Sequence, residues 1–125
     1  MKIFPIKEKV FEFELSYGSY NVYLTGGWHT ENIDDLDIHL FDIDTTETIT
    51  LQCEDFYGMR KQDYVRKQRA ILAFSFDIQK YSNLKLTISN PEILVVKRQN
   101  PYLILHDLLF GNRNVPIEQI NVVIK

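Results

Sequence analysis

Asp37 and His39 stand two residues apart, and on an extended chain that spacing puts a carboxylate and an imidazole on one face. Such a pair could serve as a general base or as half of a metal site. A transition-metal centre needs a third and usually a fourth ligand, which only His29, His106 or a distant acid could supply. Asp34, Asp35, Asp42 and Asp44 crowd the same stretch, and calcium collects its oxygen ligands from closely spaced aspartates. The spacing nevertheless lacks the calcium-loop pattern with its glycine. The two acidic ends also lie about 25 Å apart if the strand between them is extended. The plainer reading is a polar strand flanked by solubilising charges. Asp34, Asp35, Asp37 and His39 are therefore weak metal candidates only, and no cofactor is expected.

Two other segments could make contacts. Gly26-Gly27-Trp28-His29 holds the single tryptophan, and the paired glycines leave the backbone room to bend or to let another group approach. Trp28, with His29 beside it, could stack on a sugar ring or fill a partner's pocket. Alternatively Trp28 folds back and plugs the open end of the core. Residues 53–69 gather Arg60, Lys61, Arg66, Lys67 and Arg69 against Glu54, Asp55 and Asp63, interleaved with Phe56, Tyr57 and Tyr64. Cations alternating with aromatics can contact phosphates and bases, an acidic protein surface or a lipid headgroup layer. A solvated loop or an extended hairpin tip is the plainer account of the run, ahead of partner contact and then nucleic acid.

Nucleophilic chemistry finds no pattern to rest on. Cys53 is the only cysteine and has no catalytic signature around it, no serine sits in a Gly-x-Ser-x-Gly turn, and no glycine-rich phosphate loop is present. Glu12 and Glu14 share a strand face as a glycosidase pair could, but their counterparts further along the chain, Ser75 and Asp77, make a plain solvent face the better account.

The elements that must position these residues are strands. In Val10–Leu15, Phe11, Phe13 and Leu15 alternate with Glu12 and Glu14, the period of a half-buried strand. A turn over residues 16–19 leads to residues 20–25, where Tyr20, Val22 and Leu24 form the inward set, and the pair reads as a hairpin. The pattern recurs. Residues 74–78 match 11–15 position by position, and Leu84, Leu86 and Ile88 repeat the inward set of residues 20–25. Two hairpins with aromatic inner faces suit two sheets packed face to face. Further strands are expected at residues 36–40, 47–51, 93–97 and 120–124. Asn100-Pro101 before residues 102–110, with Gly111 after them, favours a short C-terminal helix. The expectation is one all-β domain over residues 1–125, an antiparallel sandwich of about seven or eight strands built from two similar hairpin halves.

Composition agrees. The 125 residues are 13% aromatic, which favours strands, and the net charge of −3 argues against a general affinity for nucleic acid. No stretch approaches a membrane span, and residues 1–9 are too broken by charge and proline for a secretory leader, so a cytoplasmic protein is expected. The leading functional expectation is a non-catalytic protein-interaction module, an inhibitor or immunity-type protein included. Its partner is another protein, through Trp28, His29, Tyr57, Arg60, Lys61, Tyr64 or Arg66, with self-association through a sheet edge as a further route. The alternatives are a carbohydrate- or ligand-binding sandwich, calcium-assisted, and an enzyme whose site is assembled from distant residues.

Overall fold

The computed structural model describes residues 1–27, 29–53, 55–56, 59–97 and 115–125. In chain order its strands are β1 (Lys2–Pro5), β2 (Val10–Leu15), β3 (Gly18–Thr25), β4 (His29–Glu31), β5 (Ile38–Asp42), β6 (Thr48–Ile49), β7 (Gln52–Cys53), β8 (Asp55–Phe56), β9 (Met59–Arg60), β10 (Gln62–Val65), β11 (Gln68–Ile78), β12 (Ser82–Ile88), β13 (Val95–Lys97) and β14 (Asn121–Ile124). The helical pieces between them are single 3₁₀ turns. The larger sheet runs β1-β14-β3-β11-β10, with β7 also paired to β11; the smaller runs β2-β12-β5-β6. Two short antiparallel pairs, β4·β13 and β8·β9, stand apart. The all-β sandwich architecture expected from alternation is the one observed. The short helix expected over residues 102–110 lies outside the described residues.

The strands end up where their burial patterns require. β2 and β12 alternate strictly, with Phe11, Phe13 and Leu15 beside Leu84, Leu86 and Ile88 on the inner face of the smaller sheet. Phe4 stacks on Phe11 with ring centroids 5.0 Å apart, which sets β2 beneath the β1 flank of the larger sheet.

The expected hairpins are not formed. β2 does not pair with β3, nor β11 with β12; each two-strand unit is an arch that crosses from one sheet to the other. The arches pair with one another instead. Phe13 lies opposite Leu84 in the smaller sheet and Phe76 opposite Tyr20 in the larger; Phe11 opposes Leu86, and Phe74 opposes Val22. These are equivalent pairs under the internal repeat, so the two units are related by a pseudo-two-fold axis between the sheets. Alternation fixes which face of a strand is buried, and a hairpin and an arch satisfy it equally well. That is why the repeat was legible and its pairing was not. The symmetry stops at a bulge between Leu72 and Phe74, where the register slips.

Beyond the bulge, the outer face of the larger sheet carries a second apolar cluster. Tyr23, Val65, Ala70, Leu72 and Val123 are all buried there. β10 and β11 form a hairpin over it, closed by Arg66 and Lys67 with φ of 48° and 67°. Positive φ at both central residues marks a type I′ turn, which suits strand twist but favours Asn-Gly. Replacing Arg66-Lys67 by Asn-Gly is expected to stabilise the protein by about 1 kcal/mol through relief of left-handed strain. A denaturant midpoint that rises at constant slope supports this, and a lower midpoint counts against it.

Candidate functional site

The basic connection is an ordered hairpin arm over residues 62–71 rather than a loose loop. Val65 anchors it in the outer cluster, and the Leu72 N–H donates to the Lys61 carbonyl at 2.8 Å. Asp63 accepts the Tyr64 N–H at 2.7 Å and the Lys125 ammonium at 3.3 Å, and both bonds hold its carboxyl below the ordinary carboxylate range. Lys125 in turn lies 5.0 Å from the Tyr23 ring centroid, a cation–π distance. The period of the strand then sends Tyr64 to the opposite side from Asp63 and Val65, where it is 55% exposed and cross-strand to Arg69. Lys61, Arg66 and Lys67 are exposed around it. Arg60 lies in β9, its backbone opposite Asp55. Tyr57 and Trp28 lie outside the described residues, and His29 lies in β4 with its backbone opposite Lys97.

Gly26, the first of the two glycines ahead of Trp28, has a packing role. Gly26 has φ of 118°, and a Cβ built there would sit 3.3 Å from Val115 Cγ1 and 3.5 Å from Val96 Cγ1. The group that approaches this backbone is the core itself.

The acidic stretch divides as its spacing implied. Asp34 and Asp35 lie in a 3₁₀ turn ahead of β5, whereas Asp42 and Asp44 lie at and beyond its far end. Asp34 accepts a weak bond from the Cys53 thiol at 3.4 Å. Asp42 is buried, and its carboxylate receives the Asp44 and Thr45 N–H groups, which shapes the turn into β6. Asp37 and His39 do meet, at 2.7 Å, on an exposed surface. The Asp37 N–H also donates to the Asn90 side chain at 2.6 Å, and Asn90 donates onward to the Asp35 carbonyl, stapling this segment to the end of β12. Among the described residues, no three His, Cys, Asp or Glu side chains converge as a metal site would require.

Only the sheet order could reveal the remaining feature. Among the described residues β2 is the last strand of the smaller sheet, so Glu12 and Glu14 stand beside an edge that no described strand covers. Sequence gave them a solvent face but could not place them at a margin. Tyr81, from the second arch, donates its phenol to Glu14, and that bond raises its pKa above the ordinary tyrosine value. With this geometry in view, comparison with family models, curated proteins and solved structures gives no match. The surfaces must speak for themselves. No helix among the described residues is long and apolar enough to cross a membrane.

Proposed function

We propose that the chain is a non-catalytic protein-binding module whose basic hairpin, residues 62–71, docks on an acidic surface of another protein. The observation that supports the reading is Tyr64, more than half exposed on an arm that Val65 anchors in the core, with Lys61, Arg66, Lys67 and Arg69 nearby. Tyrosine and arginine are the residue types that carry most binding energy at protein interfaces, because each combines a large contact area with directional polar groups. A pre-ordered arm loses little entropy on docking. The concentration of cations on a chain of net charge −3 favours steering toward an acidic partner.

A photo-crosslinking amino acid at position 64, introduced in the source cell, tests this. The expected product is one nuclease-resistant adduct of defined mass. With the captured partner in hand, Tyr64→Ala is expected to weaken binding by about 2 kcal/mol, roughly thirtyfold, and Arg66→Glu with Lys67→Glu to weaken it further by slowing association. A nuclease-sensitive smear in place of the discrete adduct would reassign the arm to nucleic acid. Unchanged affinity of both variants would remove the hairpin from the interface.

A further inference from the structure

Among the described residues the smaller sheet stops at β2, with a row of backbone groups that no described strand uses. The Ile88 N–H donates to the Lys9 carbonyl at 2.8 Å, and the register continues as Phe11 opposite Leu86 and Phe13 opposite Leu84. In an antiparallel ladder every second residue repeats that bonding, so Phe11, Phe13 and Leu15 direct their N–H and C=O groups at β12. Those of Val10, Glu12 and Glu14 point the other way. None of these outward groups meets a backbone partner among the described residues.

The side chains beside that row have one sign. Glu12 and Glu14 are exposed, and Glu12 makes no ion pair among the described residues. Its cross-strand neighbour Lys85 reaches the other way, with its ammonium 5.7 Å from the Phe41 ring centroid. An open depression of about 540 Å³ runs beside Glu12, Phe13 and Glu14, and Lys2 is the single cation lining it.

We infer that this edge takes up an extended segment of another protein that carries lysine or arginine at alternate positions, adding a strand to the smaller sheet. Main-chain bonds to Val10, Glu12 and Glu14 supply the affinity, and Glu12 and Glu14 select the cations. The residues between the cations turn toward the side of Phe11 and Phe13, which favours apolar ones. A second copy fits poorly. Antiparallel pairing of two β2 strands through these outward residues sets Glu12 against Glu12 or Glu14, and like charges directly opposite destabilise a ladder. The same acids therefore protect the edge against its own kind. This inference does not rest on the hairpin arm, since β10 and β2 belong to opposite flanks: β1 lies over β2, and β10 lies beyond β11.

The test is amide exchange by NMR on the full chain, titrated with the peptide Lys-Val-Lys-Val-Lys-Val-Lys and, separately, with its Glu-Val counterpart. At saturation the lysine peptide is expected to slow exchange at Val10, Glu12 and Glu14 at least tenfold, while Phe11 and Phe13, already bonded, change little. Glu12→Lys with Glu14→Lys is expected to weaken binding at least tenfold, and Glu12→Gln with Glu14→Gln to weaken it less. Unchanged exchange at the three edge amides overturns the inference, as does equal protection by the glutamate peptide or protection that appears on dimerisation without peptide. Should a variant not fold, the contrast between the two peptides on the native chain still decides.

Discussion

Phe76→Ala is expected to destabilise the protein by about 4 kcal/mol, the middle of the range for a buried aromatic, and to lower the melting temperature by about 10–15 °C. Phe76 is 2% exposed and stacks on Tyr20 at 5.7 Å, and Tyr20 belongs to the other arch. Truncation therefore opens a cavity at the junction of the two units rather than inside one of them. Unfolding should remain a single transition, because no element on either side of the junction has its sheet partners within its own unit. Tyr17→Ala is the control, since Tyr17 is 73% exposed in the connection between β2 and β3 and should change stability by less than about 0.5 kcal/mol. Equal melting temperatures for the two variants, or a biphasic melt for Phe76→Ala, would contradict the interlocked arrangement.

Gly26→Ala is expected to cost about 3 kcal/mol and about 10 °C. Two effects add. The backbone φ of 118° is one that L side chains rarely adopt, and the new methyl would press on Val115 at 3.3 Å and Val96 at 3.5 Å. The Gly26 N–H also donates to the Arg69 carbonyl at 3.0 Å, so the chain cannot rotate away from the strain without breaking a bond to the hairpin arm. Gly26→Ala with Val115→Ala separates the terms. If the second substitution restores little, backbone strain dominates; if it recovers most of the loss, the contact does. A Gly26→Ala variant as stable as the native chain would refute both terms together.

The sequence exposes some of this architecture and hides the rest for definable reasons. β2 and β12 each bury one face against the opposite sheet, so their period of two is clean and their inward residues could be named. β11 was visible only over residues 74–78. Its first half buries both faces, Ala70 and Leu72 on the outer cluster and Ile71 and Ala73 on the main core, and a strand buried on both sides loses its alternation. The bulge at Leu72–Phe74 shifts what period remains. For the candidate surfaces, the composition of the hairpin arm could be read directly. Its anchoring could not, because Val65 is a single apolar residue among charges and nothing local says that it is buried. The β2 edge was invisible because a margin is a property of the whole sheet order. Glu12 and Glu14 look the same on a central strand as on a terminal one.

The pairing of the arches also sets an order of events during synthesis. β2 and β3 are made early, but β11 lies some fifty residues beyond β3 and β12 some seventy beyond β2, so β3 cannot find its partner until about Ile78 has left the ribosome, nor β2 until about Ile88 has. At about 5–20 residues per second, Phe11, Phe13, Val22 and Leu24 wait several seconds with nothing to cover them. A nascent chain of this design depends on speed of elongation, or on a chaperone holding the first arch, in a way that a protein built from two self-contained hairpins would not.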